Sequence, residues 1–328
     1  MSQQKILIDA APGIAGALAI TYAMAHMDLD LLGITTTYGH VQGENALRNS
    51  IYLCNLAGKK YVVAEGAHAP IKKTAMRADP DMEGEDGLGN LQFRQKMAYP
   101  PSEYTAPRFI ADMANTHPGE VSLVCMGPLT NLYMAQKQEP NLESKLKQVV
   151  VVGGNIASKG NASPVAEFNI WHDPHAADHI LTSPFLTKMI GLDVSRKMYL
   201  RMEEIKQIAT SQTHVLFDTL SEAASYSSAY HMGIDVELAL EEAFLCKEVL
   251  GLMYVLHPEW FKMESGRIRV ATEGVAEGMT IMDRQEDLMF PQPGWDDHHP
   301  KIQAAMQVQA DQCRRDFMSV MQSHWMLS

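Results

Sequence analysis

The sequence has no apolar run long enough to span a bilayer, and Met1-Ser2-Gln3-Gln4 is not followed by the basic and apolar regions of a leader. Cysteine is scarce. Cys54, Cys125, Cys246 and Cys313 lie far apart with no CxxC pair, which argues against a disulfide framework or a thiolate metal site. Most of these cysteines sit among apolar residues and read as reduced core thiols, so a cytoplasmic location is expected. Positive charge is also in short supply. Against 39 Asp and Glu stand 27 Lys and Arg, a formal net charge of -12. With no basic cluster to offset this, a phosphate backbone is repelled, and neither nucleic acid nor membrane is an expected partner. Internal repeats and low-complexity linkers are absent as well.

What is present is a chain of 328 residues with 46% hydrophobic content, enough for a sizeable core. Strand, turn and helix alternate. Short apolar runs at 5–9, 31–38, 61–64, 121–126, 148–152 and 186–194 read as strands, with helices predicted at 14–27 and 43–56. Near-continuous apolar strands are buried on both faces, which implies an α/β fold with an open, mostly parallel central sheet flanked by helices. Such sheets carry their working residues at the carboxyl ends of strands, here Asp9, Tyr38 to His40, Met126-Gly127 and Gly153 to Asn155. The polar, Gly-rich stretch 75–101 reads as a loop or cap over those ends. Residues 201–262 read as an almost wholly helical elaboration, interrupted by the Ser/Tyr-rich segment 225–232. One domain over 1–328, with a helical cap in its C-terminal half, is the expectation.

Several short motifs are collinear with a known pattern. Asn161 to Ala177 reads NASPVAEFNIWHDPHAA, Gly127 to Asn131 reads GPLTN, and Asp86 to Gly89 reads DGLG. Val152-Gly153-Gly154 closes a strand, and Ile8 to Ile20 keeps the frame of an aspartate-rich opening motif. Together these resemble the inosine/uridine-preferring nucleoside hydrolase family, from residue 5 to about 283. The resemblance implies an N-glycosidase fold that usually forms homodimers or homotetramers, a nucleoside or ribosyl ligand, and a calcium cofactor. It also implies that Asn161, Glu167, Phe168 and Asn169 bind the ribose, whose vicinal hydroxyls suit carboxylate and amide side chains. The bland alternative is that Glu167 and Asn169 cap the helix beginning near Pro174.

The opening motif departs from the family's DTDPGIDDA. The segment reads Asp9-Ala10-Ala11-Pro12-Gly13-Ile14-Ala15-Gly16-Ala17, with only the first aspartate kept. The matched positions of the family's metal and base aspartates are Ala11, Ala15 and Gly16. Met126 and Glu248 match further metal positions, and Lys247 stands where the family has a histidine. Another family histidine, before DGLG, is replaced near Glu83. A general base is worth about 10²–10⁴ in rate, and a catalytic metal several kcal/mol. The expectation drawn from this is a ribosyl-binding relative that hydrolyses poorly or not at all, with no metal ligands and calcium absent or weak. The alternatives are an active N-ribosyl hydrolase with atypical or metal-independent chemistry, for which Asp9, His40 and Glu248 are the candidate catalytic residues with His231 nearby, and a structural or regulatory protein on this fold. Asp296, Asp297, His298 and His299 read as a solvated loop rather than a metal site, and Trp171 and Trp295 as packing or base-stacking residues.

Overall fold

The computed structural model describes residues 3–75, 80–91, 102–284, 294–295 and 298–323. Among them, nine strands form one sheet in the order β10-β9-β11-β6-β5-β4-β1-β2-β3. The strands are β1 (Gln4–Ala10), β2 (Leu29–Thr36), β3 (Val63–Ala64), β4 (Ser122–Cys125), β5 (Gln148–Val152), β6 (Thr187–Ile190), β9 (Phe261–Val270), β10 (Thr280–Asp283) and β11 (Ile302–Val308). The block from β6 to β3 is parallel, β11 runs parallel to β6, and β9 and β10 add antiparallel pairs at the far edge. A separate two-stranded ribbon pairs β7 (Tyr199–Arg201) with β8 (Ala243–Leu245).

Strand periodicity splits the core in two. Ile6, Ile8, Val124, Val150 and Val152 face one helical layer, while Leu7, Leu123, Cys125, Val149 and Val151 face the other. All four cysteines are buried free thiols. The first helix, Ile14–Ala25, contains no charged residue, and every residue of it except Ala15 is buried. It packs against the long helix Val215–Ile234, the helix Val249–Leu256 and the last helix, Ala310–Met321.

Several elements differ from the sequence reading, for physical reasons. Strands β9, β10 and β11 were not foreseen; they are half-buried, and β9 alternates exposed with buried residues rather than forming one apolar run. The segment 201–262 is not wholly helical, because β7 and β8 fold as a ribbon and β9 already begins at Phe261. The Ser/Tyr stretch 225–232 does not interrupt the helix either; it is part of Val215–Ile234, where Ser225 bonds back to Ser221 O at 2.9 Å. The sixth predicted strand stops at Ile190, and a short helix, Leu192–Ser195, follows. Among the described residues, no helix is long and apolar enough to cross a membrane. Asp296 and Asp297 lie outside the described residues, as do residues 76–79 and 92–101 of the stretch read as a loop or cap.

Candidate active site

The loops that leave the carboxyl ends of β1, β2, β5 and β6 surround a cleft of about 930 Å³. That is a size suited to a small organic ligand. Its floor carries His40, Glu83, Lys247 and Glu248, and its walls carry Asn161, Phe168, Trp171, Tyr230 and His231. Of the sequence candidates, His40, Asn161, Phe168 and Glu248 therefore line one cavity.

Asp9, Glu167 and Asn169 lie behind that surface and fix it. Asp9, at the end of β1, is fully buried; its Oδ1 accepts from Thr35 Oγ1 and Asn131 Nδ2, each at 2.7 Å. Burial raises its carboxyl to about 6, and those two hydrogen bonds pull in the opposite direction. Glu167 caps the helix Phe168–His172, its Oε2 accepting from Gly154, Asn169 and Ile170 N–H. The helix at Pro174 has its own cap in Asp173, so the helix Glu167 caps is not the one at Pro174. Asn169 donates to Val152 O at 2.8 Å and ties the loop to the end of β5. Gly154 sits at φ 76 in this turn, a left-handed conformation that costs glycine little.

The other oxygen of Glu167, Oε1, meets Lys247 Nζ at 3.4 Å, with both side chains buried. This ammonium places a positive charge beside Glu167 and Glu248, and Lys159 and Arg196 also line the cleft. Burial raises the Glu248 carboxyl; Lys247 opposes that rise and Glu167 adds to it. His40 stacks on Phe168 with ring centroids 3.9 Å apart, and its Nε2 has no hydrogen-bond partner among the described residues. Burial first, then Lys247, His172 and His231, hold its imidazole well below the usual range, so it is neutral at pH 7. His231 donates from Nδ1 to Ser227 O at 2.8 Å.

Sequence reasoning noted Glu83 only as a replacement for a histidine. In the structure it is 4% exposed, and its Oε2 accepts the Ile14 N–H at 2.7 Å, at the start of the first helix. No local pattern signals a contact across 69 positions. Lys247, likewise, is informative only once Glu167 is seen beside it.

A calcium ion takes about six to eight oxygen ligands. Ala11, Ala15, Gly16 and Met126 bring no side-chain oxygen, Asp9 Oδ1 is already engaged, and a lysine occupies the floor. Among the described residues Asp9 Oδ2, Asn169 Oδ1 and Glu248 Oε2 have no hydrogen-bond partner, but these few oxygens beside an ammonium fall well short of such a cage. The donor set does not fit the ion.

The model of the family described as inosine-uridine preferring nucleoside hydrolase matches residues 6–315. A probable uridine nucleosidase of Oryza sativa subsp. japonica is 33% identical over 86% of this chain and 82% of its own. Uridine nucleosidase 1 of Arabidopsis thaliana is 32% identical over 86% and 82%. A pyrimidine-specific ribonucleoside hydrolase of Escherichia coli is 31% identical over 85% and 88%. Among solved structures, a plant nucleoside hydrolase superposes with a TM-score of 0.90 at 26% identity, covering 98% of this chain and 99% of that one. A purine-preferring ribonucleoside hydrolase from Gardnerella vaginalis gives 0.89 at 25%, covering 99% and 100%.

These relatives are named as nucleosidases and hydrolases, and they overturn the expectation, drawn from Ala11, Ala15 and Gly16, of a relative that binds without turnover. That expectation weighed the missing aspartates and took Glu83 and Lys247 only as replacements for family histidines, whereas both side chains line the cleft. The chain belongs to the inosine-uridine preferring nucleoside hydrolase family.

Proposed function

We propose that this protein hydrolyses the N-glycosidic bond of a ribonucleoside, and that it does so without a bound calcium ion. The observation that carries this reading is the buried Lys247–Glu167 pair on the cleft floor. Lys247 supplies a positive charge beside Glu167 and Glu248, and so balances carboxylates that would otherwise be too costly to bury together. A developing ribosyl cation is stabilised by the negative end of this arrangement, with Glu248 facing the cleft.

Asn161 accepts from Phe168 N–H through Oδ1, which leaves its amide NH₂ for a ribose hydroxyl. Glu167 and Asn169 hold the loop that presents Asn161 and Phe168, and Asp9 anchors the end of β1 beneath it. The base lies against Phe168, Trp171 and Tyr230, whose rings suit a flat heterocycle. Uridine is the first substrate to test because the plant relatives are named for it. Four buried free thiols suit a cytoplasmic setting.

Turnover of uridine and inosine, followed by release of free base after exhaustive treatment with chelator, is the test. The expected result is hydrolysis that survives the chelator and gains nothing from added calcium. Activity lost to the chelator and restored by calcium would overturn the metal-free reading. Failure to release base from any ribonucleoside would overturn the hydrolase reading itself.

A further inference from the structure

The first turn of the helix Ile14–Ala25 opens on the cleft through Ala15, whose side chain carries no oxygen. A carboxyl nevertheless stands there. A Cβ built on Gly13 would lie 2.4 Å from Glu83 Oε2 and 2.8 Å from Oε1, so the carboxyl rests directly on the backbone that begins this helix. It arrives from a different part of the chain, on the short helix Pro80–Glu83. That helix is held without help from the carboxyl: Tyr226 Oη donates to Pro80 O at 3.0 Å, and Gly89 N–H donates to Glu83 O at 2.7 Å.

We propose that Glu83 is the catalytic base, taking the proton from the water that attacks the ribose; this rests on the hydrolase reading above. In the step, the water oxygen forms a bond to C1′ while the C1′–N bond breaks, its electron pair leaving with the base. The water proton passes to Glu83. The departing nitrogen takes a proton from solvent and Glu83 later returns its own, so the sum is nucleoside plus water to ribose plus free base.

The surroundings support this assignment. Glu83 faces Lys247 and Glu248, which precede the helix Val249–Leu256, and His40 from the loop after β2. His231 and Asp235 line the same cleft from the long helix Val215–Ile234 side, and Asp81 shares the short helix. Burial raises the Glu83 carboxyl, as does Glu248; the Ile14 N–H and Lys247 lower it, and the balance is about 8. A base must be ionised to act. Its working fraction therefore grows with pH and saturates above about 8.

The test compares kcat/KM for uridine across pH in the wild type and in Glu83→Gln, whose amide oxygen still accepts the Ile14 N–H. The variant is expected to lose about 10²–10⁴-fold in kcat/KM, with ribose affinity little changed. The rise of the wild-type profile toward pH 8 should vanish with it, and formate should restore part of the rate to Glu83→Ala. A wild type that hydrolyses uridine beside a Glu83→Gln of equal rate and equal pH profile would overturn this assignment and leave the hydrolase reading intact. A wild type inert toward ribonucleosides removes both. Should the variants misfold, the wild-type profile decides alone: a rate that is flat or falls from about pH 6 to 9 is incompatible with this base.

Discussion

Glu83 is a carboxyl that the folded chain keeps protonated well beyond the range of a free one, about 8 against 4.5. Between those values the native state holds a proton that the unfolded chain has released. Its contribution to stability is therefore complete below pH 4.5 and lost as the pH rises through about 8. Asp9 acts in the same direction over a lower window, from 3.8 to about 6. Thermal melts over about pH 5 to 9 should show the wild type losing stability with rising pH, and Glu83→Gln should flatten that decline. The variant then overtakes the wild type at the alkaline end. Parallel curves would mean that the carboxyl does not carry this burden. At this scale the sequence placed Asp9 and His40 at strand ends, where a parallel sheet presents its chemistry, and singled out Glu248 by its match to a family metal position. It could not separate Asp9, locked by Thr35 and Asn131, from Glu248, which faces the cleft. That distinction depends on neighbours far away in the chain.

The helix Val249–Leu256 shows how an element can be tuned against its own propensity. Glycine inside a helix normally costs about 1 kcal/mol relative to alanine. Gly251, however, faces β4 and β5, and a Cβ there would lie 2.6 Å from Val152 Cγ2 and 2.8 Å from Val124 Cγ1. Overpacking costs about 1–3 kcal/mol and outweighs the propensity gain, so Gly251→Ala should lower the urea midpoint. Because Lys247 and Glu248 immediately precede this helix, its displacement should reduce kcat as well. A raised midpoint would show that helix and sheet have room to spare. The elements with the plainest patterns were legible at their limits: the amphipathic helix Gly43–Leu56 and the valine run of β5. The antiparallel edge was not, because half-buried strands such as β9 share their composition with exposed helices. The long helix through 225–232 was hidden by its serines and tyrosines, which read locally as a loop.

Across the molecule, one apolar cluster links Ile6 in the first strand to Met321 in the last helix. Phe317, fully buried, stacks on Tyr22 with centroids 5.7 Å apart, and Tyr22 donates its hydroxyl to Asp316. The first strand and the last helix thus share one layer. Phe317→Ala should cost about 3–5 kcal/mol. Its loss should shift the circular dichroism and tryptophan fluorescence midpoints together, whereas a shift in one probe alone would reveal two independently folding units. The doubly covered parallel sheet was the part of the architecture most open to reading, since apolar runs alternating with helices leave few other solutions. The cleft was less so, because its charges come from widely spaced segments.

That spacing bears on how the protein is made. Glu83 meets Ile14 across 69 positions, and Lys247 meets Glu167 across 80. Contacts so distant close late in folding. On the ribosome, the sheet from β1 to β6 is already synthesised while Lys247 and Glu248 have yet to emerge. A nascent chain of that length thus carries much of the parallel scaffold but not the charge balance of the cleft.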